Sequence, residues 1–200
     1  MEKLKKPKPF WLLLVETVVV SFIAAFLLRF FIVDAYNVVS GSMEGSLLTG
    51  DLIFFNKLAY LSGAPKRGDV IVFKFPLDPS KRYIKRVVGL PGDTLKIVDK
   101  VVFINSKILP EPPLFQRIDA RIYSIEEEPR DNMGPIVVPK NQYFVMGDNR
   151  DNSYDSRYWG CVPKAKVIGK TSMIYWSRDK NIPWYNPAGW RVSRIFASPL

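Results

Sequence analysis

The 200-residue chain has no histidine and a single cysteine, Cys161. Without histidine there is no Ser-His-Asp triad, no Cys-His nucleophile pair and no imidazole-based zinc site. With one cysteine there is no intrachain disulfide and no paired-thiolate metal site. Cys161 reads as a small buried residue, the usual state of a free thiol. Proton transfer near neutral pH is left to carboxylates, tyrosines or lysines. Acidic residues are also few, 19 against 29 Lys and Arg, for a formal charge of +10. That balance favours anionic partners, either an acidic lipid surface or nucleic acid.

Long apolar runs are missing with one exception. Residues 10–33 are almost wholly apolar and follow a basic leader, 1–9, that carries Lys3, Lys5, Lys6 and Lys8. At about 1.5 Å per helical residue, this run is long enough for a hydrocarbon core of roughly 30 Å. Glu16 and Arg29 lie towards its ends, where charged heads reach the interface. A cleaved signal peptide would have a shorter apolar core and an Ala-x-Ala type site. No suitable site follows Phe26. A buried core helix seldom carries a lysine-rich leader. The expectation is one N-terminal transmembrane helix over 10–33 in the cytoplasmic (inner) membrane. The leader is then cytoplasmic and residues 34–200 lie on the periplasmic, extracytoplasmic side.

The remainder predicts an antiparallel all-β domain, so the chain as a whole is mostly β. Val70-Ile-Val-Phe-Lys-Phe75, Tyr83-Ile-Lys-Arg-Val-Val88 and Thr94-Leu-Lys-Ile-Val98 are rich in β-branched and aromatic residues. So are Val101-Val-Phe-Ile104, Tyr143-Phe-Val-Met146 and Val167-Ile-Gly-Lys-Thr-Ser-Met-Ile174. Turn signals at Lys66-Arg-Gly-Asp69, Leu90-Pro-Gly-Asp93 and Asp99-Lys100 separate them. Residues 109–139 are Pro-rich and charged and read as an irregular insertion. Near the end, Tyr175, Trp176, Trp184, Tyr185 and Trp190 mix with Arg178, Lys180, Arg191 and Arg194. That mixture suits a lipid interface, single-stranded nucleic acid or ordinary packing.

Three polar features stand out. Ser40-Gly41-Ser42-Met43 follows the apolar run closely; alone it is a loop signal. In Tyr83-Ile84-Lys85-Arg86-Val87, alternation puts Tyr83, Lys85 and Val87 on one face. Against apolar surface Lys85 would lose its charge easily and become a usable base. Alternatively, this is an exposed basic strand with Lys81, Arg82 and Arg86 as solvated neighbours. Residues 147–160, Gly-Asp-Asn-Arg-Asp-Asn-Ser-Tyr-Asp-Ser-Arg-Tyr-Trp-Gly, form a dense polar run between apolar segments. Asp155 and Arg157 can pair there. An Asx-rich turn is the plain alternative; calcium is disfavoured because the EF-hand spacing and its last Glu are absent.

Taken together and in this order, these segments resemble bacterial type I signal peptidase, a membrane-bound Ser–Lys leader peptidase. The resemblance includes Leu48-Thr-Gly-Asp51, Arg67-Gly-Asp-Val70 and the extension of the lysine segment through Gly89-Leu-Pro-Gly-Asp93. It implies a serine endopeptidase that cuts N-terminal signal peptides from exported preproteins after small residues. Ser42 matches the nucleophile and Lys85 the general base. The Ser40 hydroxyl and the Ser42 amide match the oxyanion hole. Ser153 matches the hydroxyl that orients the lysine, and Asp155 with Arg157 a supporting ion pair. Tyr36, Val38, Met43, Leu47, Ile53, Val72, Tyr83 and Ile84 match the walls of pockets for small residues. The implied partners are preprotein signal peptides and membrane lipid, without nucleic acid. The implied state is a monomer that needs no cofactor or metal.

The family's usual Ser-Met-x-Pro-Thr is here Ser42-Met43-Glu44-Gly45-Ser46. Losing proline frees a dihedral and predicts a loop that samples more states. Ser46 keeps the hydroxyl of threonine. A related Ser–Lys processing protease with another substrate and an inactive binding homologue are the alternative readings.

Overall fold

The computed structural model describes residues 9–199, and the side chains of all of these except 27, 28 and 30. Of the basic leader read over 1–9, only Pro9 is among them. The first element is a 22-residue helix, α1 (Phe10–Phe31). It ends two residues short of the apolar run's limit, because Val33 already opens a strand. Its side chains are exposed almost all round, with Phe10 at 78% and Phe22 at 73%. Among the described residues no helix is long and apolar enough to cross a membrane; the described side chains of α1 run unbroken only over 10–26.

The strands are β1 (Val33–Asn37), β2 (Asp51–Asn56), β3 (Val70–Lys74), β4 (Arg82–Gly89), β5 (Thr94–Val98) and β6 (Val101–Ile104). They continue with β7 (Lys107–Ile108), β8 (Met133–Val137), β9 (Gln142–Met146), β10 (Val162–Pro163) and β11 (Val167–Ser177). A one-turn helix, α2 (Ser156–Trp159), lies between β9 and β10. The main sheet has the order β1-β2-β11-β3-β4-β9-β10, and a smaller sheet the order β7-β6-β5-β8. Every strand pair in both is antiparallel.

The core lies on both faces of the main sheet. One cluster contains Val38, Met43, Leu47, Ile53, Phe55, Val70, Val72, Ile84 and Ile174. A second, with Ile71, Phe73, Val87, Tyr143, Val145 and Val162, packs along β3, β4 and β9. A third joins Val88, Phe144 and Met146 to Leu95, Ile97 and Val102 of the small sheet. As a result β4 is buried on both faces from Ile84 onward. This decides the fate of its charges: Lys85 and Arg86 are 4% and 5% exposed.

The stretch 109–139 is not irregular throughout. Residues 133–137 form β8, which pairs with β5. Pro135 hides the strand from a sequence reading, and it is tolerated because β8 is the edge of its sheet and needs no outward N–H. The remainder is tied down by charged side chains: Lys100 Nζ donates to Asp119 O at 2.9 Å, Ile118 N donates to Asp151 at 2.8 Å, and Arg130 bonds Asp119 and Asp131 at 3.0 Å.

Candidate active site

Three segments converge. The first is the loop between β1 and β2. Its neck is closed by Val38 N donating to Asp51 O at 2.9 Å and Gly50 N donating to Val38 O at 3.0 Å. Within it Gly41–Met43 forms a 3₁₀ turn whose Met43 is fully buried. The apolar anchor pins the turn, and Ser42 comes to rest 8% exposed. Ser40 precedes the turn without capping it through its side chain. Its Oγ lies 3.1 Å from Ser42 Oγ.

The second segment is β4. Lys85 Nζ is hydrogen-bonded to Ser42 Oγ across 43 residues of chain. Burial pushes the Lys85 amine down to about 8 from 10.5. Asp155 and Asp148 oppose this shift, and Arg157 adds to it. The solvated-strand alternative is thereby excluded for both Lys85 and Arg86.

The third is the polar run after β9. Asp155 is fully buried and caps α2. Arg157 meets it with a two-pronged contact, Nε to Oδ1 and Nη2 to Oδ2, both 2.8 Å. Gly147 N adds a third bond to Asp155, 3.0 Å. Burial alone would raise the Asp155 carboxyl; Arg157 and these hydrogen bonds outweigh it and hold it below its ordinary value. The remaining Arg157 donors reach the carbonyls of Arg130 and Arg150, which fixes the loop's path.

The run is stitched to the serine loop. Asn149 N donates to Ser42 O at 3.2 Å, and its side chain donates to Gly41 O at 3.2 Å. Gly147 makes this approach possible: a Cβ there would stand 2.2 Å from both Ser42 O and Ser153 Oγ. Ser153 is buried close enough to Asp155 to favour its charged form. Its Oγ has no hydrogen-bond partner in line, and none links it to Lys85.

Gly45 has a defined place rather than a loose one. Its φ is +100°, and a Cβ there would stand 1.6 Å from the carbonyl oxygen of Leu114. Proline, fixed near −65°, cannot adopt that backbone. The segment carrying Leu114 also holds the polar run, with Gln116 N donating to Asp148 O at 2.8 Å and Arg150 N donating to Gln116 O at 2.9 Å.

Ser42 and Lys85 open into a cleft of about 350 Å³. Tyr36, Tyr83 and Ile84 line it. Val38, Met43, Leu47, Ile53 and Val72 do not; they lie buried in the cluster beneath it, which Ile84 joins and Tyr36 packs against. Val39, Arg82, Asn152 and Tyr154 line the cleft without having been singled out from the sequence. Asn152 and Tyr154 belong to the polar run, whose density was the available signal.

Arg86 and Asp148 form a second buried pair beside this site. Arg86 binds Asp148 through Nε at 2.8 Å and Nη2 at 2.7 Å, and reaches Ser46 Oγ at 3.1 Å. Strand parity places Arg86 on the face opposite Lys85. Nothing in the sequence says that this face is covered too.

The geometry is that of a buried serine hydroxyl in contact with a destabilised amine, beside a cleft. Comparison with known proteins agrees. Residues 11–176 match the family described as signal peptidase, peptidase S26. A probable signal peptidase I-2 of Synechocystis sp. is 37% identical, over 88% of this chain and 78% of that protein. A signal peptidase I of Pseudomonas fluorescens is 38% identical, over 75% of this chain and 67% of that one. A crystal structure of a signal peptidase I from Enterococcus faecalis aligns with 53% of this chain and 95% of its own, at 34% identity and a TM-score of 0.41. On its serine loop, its lysine strand and its polar run alike, the chain belongs to the signal peptidase family, peptidase S26.

Proposed function

We propose that this chain removes signal peptides from exported preproteins, with Ser42 as nucleophile and Lys85 as general base. The observation that carries the assignment is the contact between Lys85 Nζ and Ser42 Oγ, with the amine pushed down to about 8. At pH 7 about a tenth of such amines are neutral, against about one in a few thousand for an ordinary lysine.

Neutral Lys85 takes the Ser42 proton as Oγ attacks the scissile carbonyl. The Ser40 hydroxyl and the Ser42 amide hold the oxyanion where charge develops. The resulting ammonium protonates the leaving amine. Lys85, neutral again, activates the water that opens the ester and frees Ser42. Asp155 and Arg157 act as support, keeping the loop around the amine rigid. By the resemblance Ser153 is the hydroxyl that orients Lys85, which takes a change of its side-chain position, since its Oγ is unpartnered here. By the resemblance, the cleft lined by Tyr36, Tyr83 and Ile84 receives small residues beside the cut.

The apolar helix fits the same reading. All of α1 is 22 residues, about 33 Å at the helical rise. Its described apolar side chains face outward on all sides, which water does not tolerate and lipid does. The reading therefore includes a single-pass anchor, residues 34–200 on the outer side, membrane lipid as a partner and a monomeric enzyme. Detergent-solubilised full-length chain incubated with a preprotein, followed by sequencing of the new N-terminus, tests it. The expected cut follows a small residue and disappears in Ser42→Ala. Cleavage that persists in folded Ser42→Ala would overturn the assignment.

A further inference from the structure

The catalytic cleft has a wall that the reaction itself does not use. Residues 82–85 of β4 all line the cleft. β9 pairs with β4 only from Arg86 to Gly89, so on that side residues 82–85 have no strand partner among the described residues. Such an edge is where an extended peptide adds as a further strand. The side chains of an added strand alternate between two faces. Here the faces differ. Ile84 lies opposite Val72 and belongs to the packed cluster with Val38, Leu47 and Ile53. Tyr83 and Lys85 lie opposite Phe73 and Ile71, on the other face.

Tyr154 stands on this second face. Its ring meets Phe75 edge-on, centroids 6.3 Å apart, and lies 5.4 Å from the ring of Tyr158. Phe75 in turn stacks on Tyr83 at 4.5 Å and meets Trp159 edge-on at 5.6 Å. The next residue, Asp155, is fully buried and paired with Arg157, which fixes the backbone. Despite this support Tyr154 is 52% exposed, and it lines the cleft together with Ser42 and Lys85. A ring held by other rings and left half bare is a ready contact surface, because little freedom remains to be lost on binding.

We propose that Tyr154 is a specificity-determining residue, a platform that favours an aromatic side chain at the second substrate residue upstream of the cut. The inference rests on the peptidase reading. An Ala-x-Ala type site carries its two small residues on one face of an extended strand. The Ile84 face is closed by packed core and leaves room for small side chains only. Alternation then turns the residue between them towards Tyr83 and Tyr154. That side is open, so it tolerates bulk, and its rings reward an aromatic partner.

The test uses peptides with an apolar segment, alanine at the first and third positions upstream, and Phe or Ser at the second. They are titrated by fluorescence anisotropy into the full Ser42→Ala chain in neutral detergent. The Phe peptide is expected to bind about fivefold more tightly than the Ser peptide, the worth of an aromatic pair. Adding Tyr154→Ala should bring this ratio below about twofold, and adding Tyr154→Phe should keep it. Should the alanine variant fail to fold, Tyr154→Leu removes the ring while keeping apolar bulk. The same Phe-for-Ser exchange at the first residue downstream controls for uptake into micelles and should not respond to Tyr154. In the parent chain the ratio of kcat/KM values should follow the ratio of affinities. Each ratio is read on one preparation, so a partly folded variant does not alter it. A Phe preference below about twofold before Tyr154 is changed, or one that survives loss of the ring, would overturn the proposal. So would an effect of Tyr154 confined to the downstream position. A binding preference of the expected kind in a chain that cleaves neither peptide would support the platform and overturn the peptidase assignment alone.

Discussion

Lys85 is held where a lysine is rarely held, 4% exposed and bonded to a serine hydroxyl. Its depressed pKa has two consequences of known sign. Activity, read as kcat/KM on a small-residue substrate, should rise with pH and level off above about 8. Stability runs the same way. Above the unfolded value of 10.5 both states are neutral and nothing is lost. Between 10.5 and about 8 the unfolded chain takes up a proton that the folded chain refuses, and the fold loses about 3 kcal/mol by the time pH reaches 8. Lys85→Met removes that burden. It should cut kcat/KM at least about a thousandfold while melting at the same or a higher temperature at pH 7. A variant with a clearly lower melting temperature would show that the charged amine stabilises the fold. Gly45 makes the opposite case, a residue required by backbone rather than chemistry. Replacing it with the family's proline should not tighten the loop but cost upwards of about 2 kcal/mol, because +100° is closed to proline and Leu114 O occupies the space of a side chain. A melting curve of Gly45→Pro matching the parent would refute this.

Among the elements, α1 is separable in principle, since every proposed catalytic residue lies beyond it. A chain lacking residues 1–31 should fold and cleave a soluble peptide within about tenfold of the full chain in detergent. If it cuts no better than Ser42→Ala, the helix does more than tether. The strands were unequally legible. β5 and β6 could be read to the residue, because each is a short β-branched run bounded by turn signals. β1 could not, since Val33 continues the apolar run before it and Asp34 and Asn37 dilute the strand signal. β2 carries one β-branched residue between Asp51 and Asn56, against three in β6, which weakens its strand signal. The candidate site was legible as motifs along the chain, in Ser42, Lys85, Asp155 and Arg157. What could not be read was depth. Whether Val38 or Val39 faces the cleft depends on how the loop turns over the core, and Arg86 is buried because segments distant in sequence, carrying Ser46, Gly68, Asp148 and Pro199, cover its face. Periodicity gives the face of a strand; it does not say how many faces are covered.

Over the molecule as a whole, the order of the main sheet matters more than its strands. Ser42 hangs from the β1–β2 pair, and Lys85 is carried by the β3–β4 pair. In the sheet these pairs are not neighbours: β11, the last strand in sequence, lies between them, pairing with β2 on one side and β3 on the other. Nucleophile and base are therefore brought into register by residues 167–177, made long after either of them. A ribosome-bound chain that has released Ser42 and Lys85 still lacks the strand that sets their separation, and non-local pairings of this kind form late. The order of synthesis thus works as a timer: the hydroxyl and the amine meet only when the domain is nearly complete.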